Sequence, residues 1–146
     1  MRTVSRDYFA EMYVAGVLAD GGWDIYFPRR DRGFDMIVSR PTEDGTLVRP
    51  VQVKGKYATI EKTAKGRYGY VGQLTALHDD MILSMPYFVS DKSAAPVHIA
   101  WMSRKEIKPS SRGFSCEPAR FREGRPEPRP GFLHCFDERG LSRFTG

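Results

Sequence analysis

The chain has 146 residues, enough for one domain, and its 40% hydrophobic and 12% aromatic content is sufficient to bury a core. No apolar run reaches the roughly 20 residues that span a bilayer, and Asp7 and Glu11 interrupt the N-terminal stretch where a signal peptide would be apolar. We therefore expect a soluble, cytoplasmic protein. Its net charge of +5 favours a polyanionic partner such as nucleic acid.

The first third of the chain predicts a helix followed by three strands. A helical pattern runs from Ser5 to Asp20 and ends before a glycine pair. Residues 23–27 and 34–38 are short β-rich runs joined by a charged turn, which predicts a hairpin. A third strand is predicted from Leu47 to Lys54, and Pro50 within it indicates an edge, a bulge or an interruption.

The middle of the chain is less regular. Residues 55–72 are polar and glycine-spaced, which is typical of a loop or a short hairpin. Two apolar runs, Met81 to Val89 and Val97 to Met102, predict buried strands, with a short helix over 73–80 before them. A capped helical turn is predicted from Ser103 to Ile107.

The composition changes at Pro109, beyond which arginine, proline and glycine dominate and phenylalanines recur. We therefore assign residues 1–108 to the domain and residues 109–146 to an extension that either packs on it or is partly disordered. The phenylalanines favour packing, because a solvated linker has little use for them, although aromatics among arginines can also stack on bases.

The chain has two cysteines, Cys116 and Cys135, and three histidines. A reducing compartment and a sufficient core favour unpaired thiols over a disulfide. The histidines show neither CxxC nor HxxxH spacing with the cysteines, so the spacing predicts no zinc site.

Four polar residues stand where apolar ones are expected. Asp35 lies within an apolar run, where a carboxylate is costly unless it is paired or binds a metal. Gln52 and Lys54 alternate with two valines, so both project from one face of their strand. Glu11 falls on the helix face that should pack on the sheet, which it shares with Tyr8, Val14, Ala15 and Leu18. Convergence on a hard divalent cation would explain all four, and a buried ion pair of Lys54 with Asp35 or Glu11 is the alternative.

The helix with Glu11, the hairpin with Gly33-Phe34-Asp35 and the strand Val51-Gln52-Val53-Lys54 follow one another in an order that resembles the core of the PD-(D/E)XK nuclease superfamily. Gln52 stands where most members carry Asp or Glu. This Gln-any-Lys form is similar to Mrr-like restriction endonucleases and some intron-encoded homing endonucleases. The resemblance covers about Ser5 to Lys56, with a looser echo in the later strands.

The resemblance implies an α/β fold of restriction-endonuclease type, in which helices flank a mixed central sheet, and a metal-dependent endonuclease that hydrolyses DNA. It implies Asp35 as the main ligand of Mg²⁺ or Mn²⁺, Gln52 as a second ligand, and Glu11 as a ligand that binds directly or through water. Lys54 would orient the attacking water or stabilise charge on the phosphate. Because Gln52 carries no charge, an inactive nucleic-acid-binding or protein-interaction module with the same fold is the alternative.

Basic residues flank the predicted site and could contact phosphates next to the scissile one, although a solvated loop face would have the same composition. Members that cut both strands often dimerise, so a homodimer is compatible with the resemblance. The candidate phosphate-contacting residues are Arg29, Arg30, Arg32, Lys56, Lys62, Lys65 and Arg67.

Overall fold

The structure, a computed structural model, describes residues 4–30, 33–59, 70–72, 74, 77–111 and 113–145. Its long helix, α1, spans Val4–Asp20, as the sequence predicts. Gly22, two residues beyond the end of the helix, has a φ of 95°, which suits a glycine. Trp23 N donates to the carbonyl of Leu18 at 3.1 Å across this end, and both side chains are buried. The glycine pair therefore ends the helix and turns the chain towards the sheet.

The main sheet is formed by β1 (Asp24–Tyr26), β2 (Met36–Thr42), β3 (Gly45–Val53), β4 (Lys56–Tyr57), β6 (Ile82–Phe88) and β7 (His98–Ser103). Its order is β1-β2-β3-β6-β4, with β7 paired to β6. The β3–β6 and β4–β6 pairs are parallel, and the remaining pairs are antiparallel. The mixed α/β class is the one predicted.

The predicted hairpin and third strand are present, and Pro50 is accommodated by the register of β3. Pro50 lies opposite Ile37 of β2, whereas pairing with β6 begins one residue later, at Val51 opposite Ile82. A proline has no N–H to donate, so it occupies a position where β3 has only one neighbouring strand. Pro50 thus marks the point at which β3 changes from an edge into an interior strand.

The short helix predicted over residues 73–80 is absent from the described part of that stretch, residues 74 and 77–80. His78 organises a turn instead: its Nδ1 accepts from Asp80 N at 3.0 Å, and its carbonyl accepts from Met81 N at 3.0 Å. Local side-chain bonds of this kind compete with helix formation. The loop or short hairpin predicted over residues 55–72 lies mostly outside the described residues.

Segments that follow β7 complete the fold. The predicted capped turn is a 3₁₀ helix at Arg104–Glu106 with a Ser103/Glu106 capping box. The remaining elements are β5 (Tyr70–Gly72), β8 (Lys108–Ser110), β9 (Gly113–Ser115), β10 (Ala119–Arg122), β11 (Arg125–Pro128), 3₁₀ helices at Pro130–Cys135 and Leu141–Phe144, and α2 (Asp137–Gly140). In one small sheet β9 lies between β5 and β8, and in a second β10 pairs with β11.

Two cores cover the two faces of the main sheet. The first lies against α1 and includes Val51, Val53 and, from the far end of the chain, Phe144. The second contains Leu83 and Phe136. Cys116 and Cys135 are buried in this second core, and both are free thiols, as predicted. No helix among the described residues is long and apolar enough to cross a membrane.

Candidate metal and nucleic-acid site

Asp35 is bound to strand β3 through its backbone and its side chain. Its N–H donates to the carbonyl of Val51 at 2.9 Å, and its Oδ2 accepts from Val53 N at 2.6 Å. Asp35 lies one residue before β2 rather than inside a strand, so its carboxylate replaces a backbone acceptor in the β2–β3 ladder. A hydrogen bond to a carboxylate is shorter and stronger than one between neutral groups. The acid is therefore held beside the end of the Gln52-Val53-Lys54 segment.

Gln52 and Lys54 project from the sheet face opposite α1. Val51 and Val53 are buried in the first core, and alternation along β3 places the residues between and after them on the other face. Leu83, which is the β6 neighbour of Gln52, packs in the second core on that face. Lys54 N donates to the carbonyl of Ser84 at 2.9 Å, so the parallel ladder continues one residue beyond β3.

The amide oxygen of Gln52 is the unsatisfied group of this site. Its Oε1 is buried and has no hydrogen-bond partner among the described residues. Leaving a buried polar atom unpaired costs about 1–3 kcal/mol. An amide oxygen is a ligand that hard divalent cations accept, and Asp35 Oδ2 is fixed on the adjacent N–H of Val53. The donor chemistry of these two residues thus fits a hard divalent cation.

Glu11 lies near Asp35 on the face of the sheet that α1 covers. Both residues are half-buried and line one open cavity of about 440 Å³. Asp35 is therefore the residue shared by the two groups: Glu11 joins it on the α1 side, whereas Gln52 and Lys54 lie on the opposite face of the sheet. Instead of one group of four residues around an ion, the structure thus has two smaller groups that share Asp35.

Two exposed aromatic residues line the same cavity as Glu11 and Asp35. Tyr8 is 62% exposed and Phe27 is 52% exposed. The predicted packed face of α1 is confirmed for Val14, Ala15 and Leu18, which are buried. It is wrong for Tyr8, which turns to solvent. Exposed aromatic rings beside an acidic pair are suited to stacking on nucleotide bases. Sequence reasoning missed them because an aromatic side chain is normally assigned to the core.

The predicted basic residues are distributed unevenly. Arg29 and Arg30 are exposed and line a cavity of about 510 Å³ that adjoins the acidic one, since Pro28 and Phe34 line both. Lys56 lies in β4 and is only 6% exposed, so a phosphate contact from it would require the side chain to move. The remaining predicted phosphate-contacting residues lie outside the described part of the chain, namely Arg32, Lys62, Lys65 and Arg67.

Known proteins do not identify this site. Neither a family model nor a curated protein nor a solved structure matches the chain. The groups that define its chemistry are a fixed carboxylate, an unsatisfied amide oxygen, a neighbouring lysine and two exposed arginines.

Proposed function

We propose that this protein is a metal-dependent endonuclease that hydrolyses DNA phosphodiester bonds. The observation that carries the proposal is the 2.6 Å hydrogen bond from Val53 N to Asp35 Oδ2. It joins the two halves of the acid and Gln-any-Lys pattern, which are 18 residues apart in sequence. The resemblance to the PD-(D/E)XK superfamily agrees with that arrangement, and the order of α1, the β1–β2 hairpin and β3 follows the same pattern.

Asp35 and Gln52 would hold Mg²⁺ or Mn²⁺, whereas Glu11, on the other face of the sheet from Gln52, would act on the ion only through Asp35 or water. The bound ion would supply Lewis-acid activation of water and of the phosphate. Lys54 adds a positive charge beside Gln52, where it would orient the water or offset charge on the phosphate. Asp35 depends on Val53 N for its orientation, so the backbone of β3 serves as a positioning group.

The surroundings of the acidic cavity are suited to a nucleic-acid strand. Arg29 and Arg30 would neutralise phosphates on one side of the acids, and this contact is independent of sequence. Tyr8 and Phe27 offer ring faces to bases on the other side. Cleavage of both strands of a duplex would require two copies of the chain, so a homodimer is part of this proposal.

A second candidate is a nucleic-acid-binding module without catalysis. The neutral side chain of Gln52 favours it, because a metal site with one charge fewer binds its ion less tightly. A protein with this function would use the same arginines and aromatics. It would bind DNA equally well in the presence of EDTA.

The deciding experiment measures cleavage of supercoiled plasmid, single-stranded DNA and RNA in Mg²⁺ or Mn²⁺, with an EDTA control. Asp35→Asn keeps an oxygen acceptor for Val53 N but removes the charge, so the fold should persist while cleavage falls about 100-fold or more. Lys54→Ala should reduce cleavage similarly. Asp24→Asn, which alters an exposed acid in the same hairpin, is the matched control and should cleave normally.

Each outcome has a defined meaning. Cleavage that is lost in EDTA, in Asp35→Asn and in Lys54→Ala supports the nuclease. Cleavage that survives these substitutions would reject the site. DNA binding without cleavage on any substrate would instead support the binding module.

A further inference from the structure

Three potential metal ligands from two separate elements meet at a second place, away from Asp35. Glu106 ends the 3₁₀ helix after β7, and His134 and Cys135 end the 3₁₀ helix at Pro130–Cys135. One ligand atom from each of the three lies within 4.8 Å of the others. A thiol, an imidazole and a carboxylate form a donor set typical of zinc.

The distance between two of these atoms agrees with a bound ion. Cys135 Sγ lies 3.7 Å from Glu106 Oε2. In a tetrahedral site with Zn–S of about 2.3 Å and Zn–O of about 2.1 Å, the sulfur and oxygen are about 3.6 Å apart. In the structure this contact is a hydrogen bond from the thiol to the carboxylate, and a zinc ion that replaced its proton would keep about the same separation.

Glu106 is oriented so that one oxygen is committed and the other faces the thiol. Its Oε1 accepts from Ser103 N at 2.9 Å, from Ser103 Oγ at 2.8 Å and from Arg143 Nη2. Its Oε2 faces Cys135. Metal-binding carboxylates are commonly held by such outer partners, which fix the orientation of the ligand atom. Ser103 and Arg143 supply that support here.

An ion can approach the cluster from solvent. Glu106 lines an open cavity of about 510 Å³, and His134 is exposed beside the buried Cys135. Cys116, the other thiol of the chain, lines the same cavity. Burial, together with the charge of Glu106, raises the pKa of Cys116 to about 12 and that of Cys135 to about 11. Without a metal these thiols stay protonated at neutral pH, so a bound ion would have to displace a proton.

We propose that Glu106, His134 and Cys135 bind a transition-metal ion of the zinc class. The site differs from the one around Asp35, because a thiolate and an imidazole select zinc-like ions whereas Mg²⁺ takes oxygen ligands. Three protein ligands leave a fourth tetrahedral position. The ion would tie the turn after β7 to the segment that carries His134, and it would therefore stabilise the packing of that segment.

The test is a titration of the full chain, freed of metal with EDTA, with Co²⁺ as a coloured substitute for Zn²⁺. We expect a thiolate-to-cobalt charge-transfer band, tetrahedral d–d bands, saturation at one ion per chain and displacement by Zn²⁺. Cys135→Ser should abolish the charge-transfer band. His134→Ala should weaken binding at least about tenfold, and its exposed position makes unfolding an unsuitable explanation.

Two controls separate this site from adventitious binding. His78→Ala removes an exposed histidine outside the cluster and should leave the titration unchanged. Cys116→Ser should retain the charge-transfer band, because Cys135 supplies the thiolate. The proposal fails if Co²⁺ gives no such band, if His134→Ala binds as tightly as the parent chain, or if the band depends on Cys116 and not on Cys135.

Discussion

Phe144 offers a direct measure of how far the C-terminal segment belongs to the core. Its side chain is 0% exposed and lies between two indole rings, with ring centroids 5.4 Å from Trp23 and 5.5 Å from Trp101. Its carbonyl accepts from Arg49 Nε at 2.9 Å. The residue thus joins the C-terminal segment to the turn after α1, to β3 and to β7.

We expect Phe144→Ala to lower the free energy of unfolding by about 3–5 kcal/mol, the range for removing a buried phenylalanine ring. Domains of this size have a total stability of about 5–15 kcal/mol. Each kcal/mol corresponds to about 2–4 °C in Tm for a chain of this length, so Tm should fall by about 6–20 °C. Backbone contacts such as that with Arg49 are retained in the variant, so the loss reports on the ring.

Urea and thermal unfolding followed by circular dichroism measure the change, and tryptophan fluorescence gives a second probe because Phe144 contacts both tryptophans of the chain. Leu133→Ala is the matched control: this apolar residue of the same segment is 49% exposed and should cost less than about 0.5 kcal/mol. A loss below about 1 kcal/mol for Phe144→Ala would refute the packing argument, since no buried ring is removed so cheaply.

Three further predictions concern individual polar groups. In EDTA, Gln52→Leu should leave stability unchanged or raise it, because it removes an unsatisfied buried amide, and it should abolish any rise of Tm on adding Mg²⁺; clear destabilisation in EDTA would contradict this. Asp137→Ala should cost about 1–3 kcal/mol in urea unfolding, because Asp137 Oδ1 accepts from Ile99 N at 2.9 Å; an unchanged unfolding midpoint would count against that role. Burial raises the pKa of Glu106, but hydrogen bonds from Ser103 and the charge of Arg143 outweigh it, so the pKa lies below its ordinary 4.5. The ionised carboxylate of Glu106 therefore stabilises the folded state above pH 4.5, and this stabilisation is lost as the pH falls through its folded-state pKa. The free energy of unfolding of metal-free Glu106→Gln should fall less on acidification than that of the parent chain, and an equal fall would argue against this role of Glu106.

Local sequence patterns were sufficient where the structure depends on neighbouring residues. The glycine pair ends α1 because Gly22 adopts a positive φ and the bonds that close the helix come from the adjacent turn. The Ser103/Glu106 box forms because its groups are three residues apart. The apolar runs became β6 and β7 because continuous apolar strands require burial on both faces. Helix, strands and capped turn could therefore be predicted from the sequence.

Exposure could not be predicted in the same way. Helical periodicity predicts Tyr8 on the packed face of α1, and its place after the third strand predicts Lys56 beside the site, yet Tyr8 is exposed and Lys56 is buried. For Lys56 the sheet order decides the outcome, because β4 pairs with the end of β6 at Tyr87 and so draws Lys56 into the interior. A residue's side-chain chemistry predicts its average environment, whereas its neighbours in space determine the actual one.

The sequence alone thus determined that Glu11 lies on a helix and that Gln52 and Lys54 project from one face at the end of a strand, because periodicity within an element is a local property. Only the tertiary structure decided which side chains meet. It joined the carboxylate of Asp35 to the N–H of Val53 and placed Glu11 on the far side of the sheet from Gln52. It also brought Glu106 close to His134 and Cys135. Spacing rules do not find this cluster, because they detect ligands that are close along the chain and Glu106 comes from a distant element.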